Sequence, residues 1–121
     1  MRLTLTLIVL VALASPTPDT AQARESAEPF KVGTFELHGI PHVGLVLRDR
    51  LVVDLESANM ALEANPTYPR VPMPEDMLEL IGRYEYGLKY RLYEIVNHLV
   101  ANNQVTGNGR AAYVHNASDI R

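Results

Sequence analysis

The residues with the capacity for chemistry are four histidines, a dispersed set of carboxylates and four serines. His38 and His42 flank the corner Gly39-Ile40-Pro41, so both rings could converge on one metal ion. Zinc takes three or four protein ligands, and the spacing supplies no third, so a surface pair is the simpler reading. His98 stands one position before Leu99, beside an apolar stripe, and reads as an exposed or internally satisfied side chain rather than a base. His115 precedes Asn116-Ala117-Ser118, which has the form of a glycosylation sequon. The carboxylates form no Glu-x-Glu pair and no His-Glu-x-x-His run. Ser15, Ser26, Ser57 and Ser118 have no base nearby in sequence, and no Gly-x-Ser-x-Gly elbow occurs. The glycine-rich residues 106–109 lack the Lys-Ser/Thr pair that a phosphate loop requires. The sequence therefore assigns no catalytic residue, no cofactor-binding residue and no metal ligand to this chain.

The length, 121 residues, suits one small domain. Eleven Lys and Arg stand against fourteen Asp and Glu, a formal charge of -3. Nucleic-acid binding needs clustered cations that displace counterions, so no nucleic-acid partner is expected. Cysteine is absent, which excludes a disulfide framework and a thiolate metal site.

Residues 1–14 read MRLTLTLIVLVALA. One arginine precedes an apolar run of about a dozen residues, too short to span a bilayer and right for a signal-peptide core. The small-x-small pattern Ala21-Gln22-Ala23 places cleavage after Ala23, with Ala14 as the second choice. Residues 1–23 are thus read as a signal peptide, and the alternative is a buried apolar element. The protein is expected to be exported, periplasmic or secreted, with no membrane contact after cleavage. Residues 24–29 are read as a disordered lead-in.

Residues 31–55, KVGTFELHGIPHVGLVLRDRLVVDL, have the pattern of a three-stranded antiparallel meander. Strands are placed at 31–37, 42–47 and 51–55, with turns at His38-Gly39 and Arg48-Asp49-Arg50. Phe35 and Leu37 are taken as the core side of the first strand. Gly44 suggests a bulge or a close backbone approach. Ser57 can cap a short helix over 58–63. Residues 66–73 hold three prolines and should form an extended loop. Pro74 can open a second helix, with Met77, Leu78, Leu80 and Ile81 buried and Gly82 as its breaking point. Leu88, Leu92, Ile95, Val96 and Leu99 make one stripe of a longer amphipathic helix. Arg83, Lys89, Arg91 and Glu94 lie off that stripe. Tyr84, Tyr86, Tyr90 and Tyr93 surround it as half-buried rims; a stacking platform for bases or sugars is the other reading. Residues 112–115 could add a short strand. The fold class is α+β: a small antiparallel three-stranded meander packed with one long and one or two short helices.

The segments Lys31-Val32-Gly33-Thr34-Phe35, Val43-Gly44-Leu45-Val46 and Leu51-Val52-Val53-Asp54-Leu55 resemble the opening of the fumarylacetoacetate hydrolase family. Residues 74–81, PEDMLELI, resemble that family's Pro-x-Asp-Met-x-x-Leu-Ile. The resemblance covers residues 30–121 and implies an N-terminal accessory domain. In that family the acidic metal ligands and the catalytic histidine belong to a larger C-terminal domain, and none has a counterpart here. The resemblance implies a fragment, or one domain of a longer protein, that hydrolyses a carbon–carbon bond in diketo or 2-oxo acids. Mg²⁺ or Mn²⁺ is implied for the missing catalytic domain. The implied partners are that domain in cis and, in a homodimer, a second copy. A free-standing periplasmic binding or interaction module, presenting the tyrosine-rich helix and the proline-rich loop, is the alternative.

Overall fold

The computed structural model describes residues 25–120. The expected signal peptide lies outside them. The fold is α+β, with one antiparallel sheet and helices packed on one of its faces. The sequence predicts three strands and the sheet has four, in the order β1-β2-β3-β4. They are β1 (Phe30–Leu37), β2 (Ile40–Leu47), β3 (Leu51–Asp54) and β4 (Val114–Asn116). The fourth is three residues long, follows the three α-helices and overlaps the short strand that the sequence offers at 112–115. It pairs Val53 with Val114 and Leu51 with Asn116.

Turn chemistry fixes the register of the first hairpin. His38 and Gly39 both take positive φ, 53° and 78°, as the tight two-residue turn between twisted strands requires. Leu37 then faces Ile40, Phe35 faces His42, Gly33 faces Gly44 and Val32 faces Leu45. Because side chains alternate across a strand, this decides which residues share a face. Val32, Leu45, Leu47, Leu51, Val53 and Val114 lie on the core face. Phe35 and Leu37 lie on the other, which corrects the sequence expectation. Phe30 and Val32 take the core side of β1 instead.

The helices are α1 (Leu55–Glu63), α2 (Met77–Arg83) and α3 (Lys89–Ala101). β3 runs directly into α1, with Asp54 at the N-cap position and Ser57 already inside the first turn. Ser57 is therefore not the cap. Helix α2 starts at Met77, three residues after Pro74, because the Asp76 carboxylate accepts the Glu79 N–H at 2.8 Å. The Glu79 carboxylate in turn accepts the Glu75 N–H at 2.9 Å. Of the residues predicted to be buried on α2, Leu80 is, Met77 is partly so, and Leu78 and Ile81 are 80% and 65% exposed. The buried stripe continues as 77, 80, 84 and 88, spaced three and four apart; positions 78 and 81 face away from it. The break is a kink at Tyr86 and Gly87 (φ -94° and 114°) between α2 and α3, and not at Gly82. Leu88, Leu92, Ile95, Val96 and Leu99 are all buried against the sheet and α1.

Arg91, expected off the stripe, is 2% exposed. Its guanidinium donates to Asn59 Oδ1 at 2.8 Å and to the Pro69 carbonyl, and lies 3.6 Å from Glu63. Asn59 Nδ2 donates to Glu63 and to the Val71 carbonyl, each at 3.0 Å. One buried polar network thus ties the proline-rich loop to α1 and α3.

At the start of β1, Phe30 meets Tyr93 edge-on, with centroids 6.0 Å apart, and Tyr90 meets Tyr93 in the same way. Asn97 accepts the Ala27 N–H and donates to the Glu25 carbonyl, while Arg48 makes two hydrogen bonds to Glu28. Tyr86, read as a half-buried rim, is 92% exposed. Burial raises the pKa of Tyr84, with a hydrogen bond to Tyr93 adding to it, and burial alone raises that of Tyr113. A raised pKa in the fold favours the neutral phenol. The associated stability is therefore complete below the ordinary tyrosine value of about 10 and is lost as pH rises through the folded value. The Glu85 hydrogen bond raises Lys89 and acts in the same direction. The urea midpoint is expected to fall between pH 9 and pH 11, and Tyr113→Phe should reduce that fall; an unchanged slope in Tyr113→Phe would remove Tyr113 from the account.

Candidate functional site

The face of the sheet turned away from the helices carries Phe35, His42, Gly44, Val46, Val52, Asp54 and His115, by the same alternation that builds the core. Phe35 and Val52 are each 8% exposed, yet both lie outside the main core cluster. Gly44 makes this layer possible. A Cβ placed there would meet the Phe35 ring at 2.5 Å and the Val53 carbonyl oxygen at 2.9 Å. The close approach expected of Gly44 is therefore to an aromatic ring folded across the hairpin. The ring of His42 stacks on the other side chain of its cross-strand pair, Phe35, with centroids 5.7 Å apart and planes at 29°.

Asp54 is the register partner of Gly44 and is 5% exposed. Its Oδ2 accepts a hydrogen bond from the Ser57 hydroxyl at 2.7 Å. Its Oδ1 is buried with no hydrogen-bond partner, and His42 Nδ1 stands 3.4 Å away. A buried carboxylate oxygen without a donor is costly, so the tautomer with its proton on Nδ1 is the favourable one. His42, Asp54 and Ser57 are the components of a hydrolytic triad, but not in its arrangement. The hydroxyl is bonded to the carboxylate instead of the imidazole, so in this arrangement His42 does not act on it.

The other histidines are dispersed. His38 occupies the turn and is exposed, so it does not join His42. His115 pairs with Val52 across β3 and β4. His98 Nδ1 is 3.3 Å from Asn102 Nδ2 and borders an open hollow of about 280 Å³ with Tyr68, Tyr93 and Glu94. A smaller recess of about 150 Å³ lies beside His42, with Leu55, Glu56 and Glu75 in its wall. Organic ligands are usually held in clefts of about 300–1,000 Å³; these two hollows are smaller, and a shallow one of about 330 Å³ between residues 25–29 and Tyr93 reaches the lower end of that range. Among the described residues no three His, Asp or Glu side chains are placed to hold a metal ion. The sequon residue Asn116 accepts from Arg110 at 3.0 Å and donates to Asp119 at 3.3 Å.

Sequence reasoning missed the His42–Asp54 approach and the burial of Arg91. The first had a signal: Asp54 is the one charged residue in the run Leu51 to Leu55, and a carboxylate there must find a donor. Among the described residues no helix is long and apolar enough to cross a membrane. Comparison with family models, with curated proteins and with solved structures finds no match to this chain.

Proposed function

We propose that this chain is the non-catalytic N-terminal domain of an exported hydrolase similar to the fumarylacetoacetate hydrolases, which cleave a carbon–carbon bond in diketo or 2-oxo acids. The observation that carries the reading is the pairing of Gly44 with Asp54. These two residues belong to the segments on which the resemblance rests. Each has a structural task on the same face: Gly44 admits the Phe35 ring and Asp54 begins α1 beside His42. That face of the sheet lies away from the helices, and its half-buried residues His42, Val46 and His115 are where a catalytic domain in cis would pack. The Mg²⁺ or Mn²⁺ of such an enzyme belongs to that other domain; the described residues of this chain do not fit it.

The test has two parts. The reading frame is followed past Arg121 for a Glu-x-Glu pair, and the longer product is assayed against an acylpyruvate with Mg²⁺ or Mn²⁺ beside the present chain. Hydrolysis by the longer product and none by this chain is expected. Turnover by this chain alone, or a frame without the acidic pair, would overturn the reading.

The exposure of Leu78, Ile81 and Tyr86 favours a second reading, a free-standing periplasmic interaction module. A stop codon after Arg121 with a monomeric, cooperatively folding product would select it.

A further inference from the structure

We infer that the outer edge of β1 is a self-pairing surface, through which two copies of this chain join their sheets about a two-fold axis at Gly33. Pro41 sits inside β2 opposite Glu36 and has no N–H. Pairs in an antiparallel ladder alternate between those that exchange hydrogen bonds and those that do not. Leu37 and Ile40 close the two-residue turn as a bonded pair, so Glu36 and Pro41 form a non-bonded one, the position in which a proline is tolerated. By alternation Phe30, Val32, Thr34 and Glu36 direct their backbone N–H and C=O groups away from β2. β1 is the edge of the sheet, and among the described residues these four make no backbone hydrogen bond beyond the hairpin.

An open edge of this length is a template for another strand, and several features point to a second copy as the occupant. The stretch is bounded by Pro29 before it and the His38-Gly39 turn after it, and Gly33 is the midpoint of its outward-directed residues, Phe30 to Glu36. A two-fold axis at Gly33 sets Val32 against Thr34 of the second copy, Lys31 against Phe35, and Phe30 against Glu36. No like charges face each other. Val32 and Thr34 are both β-branched, a favourable cross-strand pair. Lys31 would reach the Phe35 ring, an attractive cation–aromatic contact, at the expense of its exposed ion pair with Asp49. On the axis the two Gly33 residues approach in a non-bonded pair, and a Cβ at Gly33 would meet nothing within 4 Å. Phe30 and Val32 are only partly buried in one copy, and pairing would extend the core face of each sheet into the other. About eight backbone hydrogen bonds would form. A strand edge alone buries less than a standard interface of roughly 1,200–2,000 Å², so the association should be reversible. This inference is independent of the proposed hydrolase reading.

The experiment is sedimentation equilibrium on the protein as purified, from about 10 μM to about 1 mM, a range that spans weak and moderate dissociation constants. It is paired with residue-resolved amide exchange at both ends of that range. A monomer–dimer equilibrium is expected. The Val32, Thr34 and Glu36 amides should slow by at least about tenfold with concentration, while those of Gly33 and Phe35, already bonded within the hairpin, change little. Thr34→Pro removes an outward N–H that the hairpin does not use and should give a monomer. A wild-type monomer throughout, a dimer that survives in a folded Thr34→Pro, or protection without the alternation would each overturn the inference. If Thr34→Pro fails to fold, the exchange pattern of the wild type decides alone.

Discussion

Gly44→Ala is expected to be among the most damaging single substitutions in this domain, lowering stability by about 3 kcal/mol, the upper part of the range for overpacking. The added Cβ would stand 2.5 Å from one atom of the Phe35 ring and 2.9 Å from the Val53 carbonyl oxygen. The ring can rotate away, but the carbonyl belongs to the central strand β3, which is buried along its whole length. The ring also has little freedom, because His42 stacks on it. Urea denaturation would show the loss as a fall in midpoint of about 2 M, for a slope near that of other small domains. The cause can be separated with Phe35→Leu, which removes the ring edge. If the ring is the main obstacle, the double variant Gly44→Ala/Phe35→Leu should be more stable than the sum of the singles predicts, by about 1 kcal/mol. Additive losses would assign the whole effect to Val53, and no loss in Gly44→Ala would remove the ring-over-glycine arrangement from the account.

That arrangement was partly legible in the sequence and partly not. The stripe Leu88, Leu92, Ile95, Val96 and Leu99 has the helical period and buries as its spacing implies. His38-Gly39 is a turn that only residues tolerant of positive φ can make, and it sits where the sequence places it. The facing of β1 was not legible from β1 alone, since both sides of that strand carry apolar residues. A shift of one residue exchanges every side chain between faces. The information lay in β2: a two-residue turn places Val32 beside Leu45 and Phe30 beside Leu47, and those leucines are fully buried. Leu78 and Ile81 misled for the converse reason. They are apolar, but the stripe through Met77 and Leu80 is narrow, and apolarity alone does not bury a side chain. The His42–Asp54 approach depends on two hairpins in register, so it emerges only once both turns are fixed.

Arg91→Ala is expected to match or exceed the glycine substitution, at about 3–5 kcal/mol, the usual cost of removing one member of a buried charge network. Spacing permits the burial, since Arg91 stands three residues after Leu88 and four before Ile95, but a lone basic residue at the margin of an amphipathic helix is ordinarily solvated. Its burial is imposed by partners from distant segments: Asn59 and Glu63 on α1 and the Pro69 carbonyl in the loop. Truncation would leave Asn59 Oδ1 and that carbonyl without their donor and Glu63 without its counter-charge. Arg91→Met separates packing from polarity, since it restores much of the aliphatic stem but none of the donors; it should recover only part of the loss. Arg91→Lys keeps the charge but not the planar fork that reaches two acceptors at once, so it too should fall short of wild type. The second readout is local. With Pro69 released, the loop keeps only the Asn59 bond to Val71 and the Arg83 bond to the Pro72 carbonyl, both beyond Arg70, and trypsin should cut after the exposed Arg70 well before the domain unfolds. A stability within about 0.5 kcal/mol of wild type, the range typical of surface changes, would place Arg91 outside the core in solution. Global loss without early cleavage at Arg70 would show instead that the network supports the α1–α3 contact and not the loop.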